Sequence, residues 1–170
     1  MKSSDIRIVV TGVDWLGSGI GSIETSLEEL IREAKEQIDI TAYSVTSGAD
    51  LLFKWINVAL ERGIKIRIIV NKPESQPAII VNKLERLATK YKHFALYYFI
   101  GKRSNLHAKM IIADRFAAVV GSSNLSKSGL LLNYEVAAYV KGEPVEQLAN
   151  TLEKLFNSKN IVKFNSLKKP

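Results

Sequence analysis

The stretch NLHAKMIIADRFAAVVGSSNLS, residues 105–126, gathers most of the side chains in this chain that could handle a phosphate. His107 and Lys109 are two residues apart, so an extended backbone turns both to one face. A neutral imidazole beside a fixed ammonium suits phosphoryl chemistry, one group attacking or passing a proton and the other neutralising charge. Asp114 and Arg115 fall between two apolar runs and read as a tight hairpin turn. The second run leads to Gly121, which permits a sharp turn and a close backbone approach. Ser122, Ser123 and Asn124 then offer hydroxyl and amide donors to an anion. In NYEVAAYV, Asn133 and Glu135 share a strand face, and a carboxylate there could hold the second nitrogen of an imidazole and fix its tautomer.

The elements that must position these groups are legible around them. IRIVV (6–10) reads as a buried strand, and residues 11–22 as a glycine-rich loop. SIETSLEELIREAKEQ is predicted to be a helix, with Ser at its start, carboxylates early and bases late. IDITAYSV is a strand and SGADLLFKWINVALERG a helix closed by Gly63. IKIRIIV is a strand, residues 78–91 a third helix, and HFALYYFI a strand. LHAKMIIAD, FAAVVGS and NYEVAAYV follow as strands in quick succession. A short helical turn is expected after Asn124, and a last helix over PVEQLANTLEKLFN. Strands alternating with helices predict an α/β fold, a mixed β-sheet sandwiched between helices. No internal repeat or linker interrupts it, so residues 1–157 are expected to form one catalytic domain and 158–170 a loosely held basic tail.

Composition narrows the chemistry. None of the 170 residues is cysteine, which excludes disulfides, Cys-ligated zinc, iron–sulfur clusters and thiol catalysis. The net charge of +7 favours a polyanionic partner, although a merely soluble basic surface is equally compatible with it. MKSSDIRIVV has no apolar signal core, and FALYYFI is too short to span a bilayer. The expectation is a soluble, cytoplasmic protein with no membrane attachment. GSGIGS (17–22) fits neither dinucleotide nor P-loop spacing and reads as a flexible lead into the first helix, bordering the site. His93 lacks a lysine partner and reads as structural. Lys102 and Arg103, just ahead of His107, are candidate contacts to a nucleic-acid backbone. The lysines at 159, 163, 168 and 169 read as solvating.

His-x-Lys-x-x-x-x-Asp at His107, Lys109 and Asp114, then Gly-Ser-x-Asn at Gly121, Ser122 and Asn124 with Glu135 downstream, resembles the signature of the phospholipase D superfamily. IDITAYSVTSGADLLFKWINVALERGIKIRIIVNK is similar to that family's strand–helix–strand unit, so the likeness runs over roughly residues 23–157. It implies a phospholipase D-like fold and a set of roles. His107 would form a covalent phosphohistidine, Lys109 and Asn124 would hold phosphate oxygens, Ser122 would support the turn, and Glu135 would orient His107. Asp114 belongs to the motif but is expected to be structural. No metal or other cofactor is implied.

One motif copy per chain implies a symmetric homodimer that brings two His107 side chains to one composite site. Small single-motif members of the superfamily suggest a metal-independent endonuclease of low sequence specificity, acting on DNA, with RNA as a further substrate. The alternatives are a phospholipase D-type lipid phosphodiesterase and a non-catalytic nucleic-acid-binding module.

Overall fold

The computed structural model describes residues 4–165 other than 16, 18 and 47. Two positions of the glycine-rich loop and Lys168 and Lys169 of the tail therefore lie outside the described residues. Nine strands join one mixed sheet: β1 (Asp5–Thr11), β2 (Gly21–Ser22), β3 (Gln37–Ala42), β4 (Lys65–Asn71), β5 (Phe94–Phe99), β6 (Met110–Ala113), β7 (Ala117–Gly121), β8 (Glu135–Lys141) and β9 (Ile161–Lys163). Their order across the sheet is β2-β1-β8-β7-β6-β3-β4-β5-β9. β3, β4 and β5 are parallel, and β6, β7, β8 and β1 are successively antiparallel.

The helices are α1 (Ile23–Glu33), α2 (Asp50–Glu61), α3 (Ala78–Lys90) and α4 (Glu143–Phe156). Ser22 caps α1 by accepting the Thr25 amide, as its place before the acidic first turn predicts. α1, α2 and α3 bury Leu27, Leu30, Phe53, Ile56, Ile80 and Leu84 against one sheet face, where Ile38, Ile40, Ile66, Ile68, Leu96 and Ile111 project. α4 covers the other face through Val145, Ala149 and Leu152, packed on Ile69, Ile112, Ala118 and Val140. Beneath α4, Arg67 bridges Asp39 (2.7 Å) and Glu153 (2.8 Å) and stacks over Phe156. The sheet is thus sandwiched between helices, three on one side and one on the other.

Three local readings need correction. β1 is not a buried strand: Val9 and Val10 are in the core, but Ile6 and Ile8 are 61% and 54% exposed because α4 does not reach this part of the sheet. The chain after 157 is not loose over its described part. Ile161–Lys163 pairs with Tyr97–Phe99, closing what would otherwise be a bare sheet edge. The third concerns His107 and Lys109, which precede the ladder of β6 rather than lying within it. There the Thr41 hydroxyl donates to the Ala108 carbonyl (3.0 Å) and accepts the Met110 amide (3.1 Å), standing in for backbone pairing.

Candidate active site

Strand directions bring the motif together. The C-terminal ends of β3, β4, β5 and β7 and the N-terminal ends of β6 and β8 meet at one end of the sheet, and the residues at issue lie on the connections there. Gly121 ends β7 against β8. A Cβ at this position would collide with Ala137 and with the Val136 carbonyl, so only glycine lets the two strands approach as they do.

His107 is exposed and Lys109 half-buried beside it. The Lys109 ammonium donates to the His107 carbonyl (3.0 Å) and lies 3.2 and 3.3 Å from Nδ1 and Nε2 of the ring. Burial pushes the Lys109 ammonium below the usual lysine range, and the nearby Glu135 carboxylate opposes that shift. Lys109 is therefore a cation already drawn out of water and poorly compensated, which favours its meeting an anion.

Glu135 does not hold His107 within the chain. Its carboxylate accepts from the Ser122 hydroxyl and from Asn133 Nδ2 (3.2 Å), and Ser122 Oγ accepts the Val136 amide (3.2 Å). The carboxylate braces the Gly-Ser turn, which sets where Asn124 stands. Asn124 Oδ1 is buried with no hydrogen-bond partner among the described residues.

Two residues from the motif region point elsewhere. Ser123 was expected to meet substrate, but it is buried and donates to the Gly129 carbonyl (2.8 Å), tying the turn to the π-helical turn Ser128–Leu132 that follows. Asp114 sits at the opposite end of β6 in a left-handed pair with Arg115 (φ 52° and 55°). Its carboxylate accepts the amides of Lys35, Glu36 and Gln37 at 2.8, 2.9 and 2.9 Å. It clamps the α1–β3 connection to the hairpin and is remote from the chemistry. His93 Nε2 donates to the Leu60 carbonyl (2.9 Å), away from the site, as a structural histidine would. Lys102 and Arg103 are exposed and line, with Ser104 and Asn160, a depression of about 410 Å³.

Sequence reasoning missed the residues that aim His107. The Tyr43 ring lies against the imidazole, centroids 4.5 Å apart, and 5.2 Å from the Lys109 ammonium. Buried Gln76 holds that region: Nε2 donates to the Tyr43 carbonyl (3.0 Å) and the Asn71 carbonyl (2.7 Å), and Oε1 accepts the Val45 amide (3.0 Å). Asn71 Oδ1 in turn accepts the Leu106 amide (2.8 Å), one residue before His107. Gln76 lies five residues past β4, and its burial, which obliges it to satisfy its polar atoms internally, is visible only in the folded chain.

This sheet, with its helices divided three to one and its His-x-Lys and Gly-Ser-x-Asn segments meeting at one end, is that of the phospholipase D superfamily. The family model described as cardiolipin synthase, PLD-like domain, matches residues 27–159, and the chain belongs to that family. In fold it is similar to NUC from Salmonella typhimurium, a phospholipase D family member, with a TM-score of 0.77 at 21% identity over 96% of this chain and 100% of that one. Among curated proteins it is 28% identical over 156 residues to the DISARM protein DrmC of Bacillus paralicheniformis, covering 91% of this chain and 64% of the relative. It is 26% identical to cardiolipin synthase A of Buchnera aphidicola, over 82% of this chain and 28% of the relative. The chain thus spans under two thirds of the length of these curated relatives. No helix among the described residues is long and apolar enough to cross a membrane.

Proposed function

We propose that this protein is a phosphodiesterase that cleaves nucleic acid, DNA first, with low sequence specificity and without a metal ion. The observation that carries the reading is the exposed His107 imidazole set 3.2 Å from the half-buried Lys109 ammonium, with the Gly121–Asn124 turn at the same end of the sheet. In the first step a ring nitrogen of neutral His107 attacks phosphorus. The P–N bond forms as the P–O bond to the leaving nucleoside breaks, and the departing oxygen takes a proton from a general acid. Lys109 and Asn124 neutralise and hold the non-bridging oxygens as charge grows on them. In the second step water, deprotonated by the same group, attacks phosphorus and releases His107.

No second imidazole lies beside His107 among the described residues. The chain has only one other histidine, and His93 is engaged with Leu60 away from the site. A second copy of the chain supplies the missing imidazole through a two-fold axis at the site. The surface that supports this is the face of β1 and β8 left bare by α4. Ile6, Ile8 and Val136 are 61%, 54% and 46% exposed there. Uncovered β-branched side chains of this kind fit a self-complementary interface.

The substrate choice rests on the net charge of +7 and on the exposed Lys102–Arg103 pair just past β5, at the same end of the sheet as His107. Against it, the matched family is described by a cardiolipin synthase, which favours a phosphatidyl substrate as the second reading. Turnover on DNA, RNA and phosphatidylglycerol in excess EDTA separates them. Nucleic-acid cleavage that survives chelation is expected. Activity on the lipid alone, or activity restored only by added magnesium, contradicts the proposal.

A further inference from the structure

The cations at the catalytic end of the sheet differ in their partners from several others along it. Arg7 pairs with Glu29, Arg67 with Asp39 and Glu153, Arg115 with Glu146, and Lys141 with Glu29 and Glu33. Lys72, Lys102 and Arg103 have no ion pair or side-chain hydrogen bond among the described residues. Their order follows the strands. Leaving the His107–Lys109 segment at β6, the sheet runs β3, β4, β5, and the residues just past those three strands are Tyr43, Lys72 and the Ile100–Arg103 loop. Adjacent strands lie about 4.8 Å apart, so this file extends about 14 Å from the catalytic histidine.

The file is held in place rather than left to fluctuate. Gln76 joins the Tyr43 and Asn71 carbonyls, Asn71 holds Leu106, and the Lys72 amide donates to the Phe99 carbonyl (2.9 Å). Lys72 also carries a backbone that side chains other than glycine rarely adopt (φ 34°, ψ 95°). A non-glycine residue kept in that region costs stability and persists where the surroundings impose it, commonly at ligand-binding positions.

We propose that an extended single-stranded polynucleotide runs from the His107 centre along this sheet end, its phosphates passing Lys72 and then Lys102 and Arg103. This rests on the nuclease reading above and adds the path and the strandedness. The cations stand in single file with an aromatic ring, Tyr43, among them, which suits one backbone with unstacked bases rather than the two backbones of a duplex. Lys72 is the new contact: neither the motif nor the loop ahead of His107 points to it.

The test uses His107→Ala protein, which cannot turn over the strand, and a fluorescein-labelled oligothymidylate read by anisotropy across a salt series. Adding Lys72→Ala is expected to weaken binding about tenfold and to lower the steepness of the log–log salt dependence by about 0.7. Lys72→Arg restores both. Lys65→Ala removes the same charge from the opposite end of the same strand and is expected to leave affinity within about twofold. A duplex of equal length binds more weakly than the single strand. Equal losses for the Lys65 and Lys72 variants, or tighter binding of the duplex, overturn the path even if the wild-type protein cleaves nucleic acid. Binding to phosphatidylglycerol vesicles with none to the oligonucleotide overturns the nuclease reading, and the path with it.

Discussion

Tyr43 lies against His107 with ring centroids 4.5 Å apart and planes inclined at 58°, and the Lys109 ammonium, 3.2 Å from His107 Nδ1, is itself 5.2 Å from the Tyr43 ring, so the three groups pack as one cluster. A nucleophile on an exposed segment gains its aim from such packing, because misplacement of the order of 1 Å can cost about a hundredfold in rate. Tyr43→Ala is therefore expected to lower kcat on a small aryl phosphodiester by about ten- to a hundredfold, and Tyr43→Phe to retain it within about twofold. Steady-state kinetics of the two variants check this. Full kcat in Tyr43→Ala would show that the ring does not position the histidine.

Asp114 is expected to act on stability and not on rate. Its carboxylate accepts three amides of the 35–37 segment, and asparagine keeps one acceptor oxygen but turns an NH2 donor toward another of these amides, a lost hydrogen bond worth about 1–3 kcal/mol. Asp114→Asn keeps a residue that tolerates the left-handed backbone while removing the charge. Denaturant unfolding is expected to show a loss of about 1–3 kcal/mol, with kcat within about twofold of wild type. A large fall in kcat at unchanged stability would return Asp114 to the catalytic set.

Those two residues mark how far the sequence could be read. The His-x-Lys and Gly-Ser-x-Asn segments were visible because their spacing is local, and the alternating strands and helices gave the sandwich. Asp114 was recognisable as a turn residue for the same reason. Tyr43 and Gln76 act on His107 through strand ends brought together by the sheet order, and no local pattern in IDITAYSV or NKPESQP encodes that adjacency. The same holds for Glu135: it was read as sharing a strand face with Asn133, but β8 begins at Glu135, and its partners Ser122 and Asn133 depend on how β7 ends and β8 starts. β9 was missed because three residues of unremarkable composition became a strand only by meeting an open edge.

Lys109 offers a titration whose sign is set by two opposing causes. Burial lowers its pKa below the usual 10.5 and the Glu135 carboxylate raises it. The charged form is thus disfavoured by folding, so this group contributes more to stability above its unfolded pKa than below its folded one. NMR titration of the Lys109 side chain is expected to give a midpoint below 10.5, and Glu135→Gln to lower it further. A midpoint that rises in Glu135→Gln would mean that the carboxylate does not act on this ammonium.

A shared site makes the strongest claim about His107. Co-expressed, separately tagged wild-type and His107→Ala chains allow mixed dimers to be isolated and their kcat compared with wild type. Each mixed dimer holds one imidazole where the chemistry needs a nucleophile and a proton carrier, so its rate is expected to fall about a hundredfold or more. Mass spectrometry of quenched wild-type dimers is expected to find the phosphoryl adduct on His107 of one chain per dimer. Mixed dimers that keep about half the wild-type rate, or a fully active monomer in sedimentation, would contradict the account.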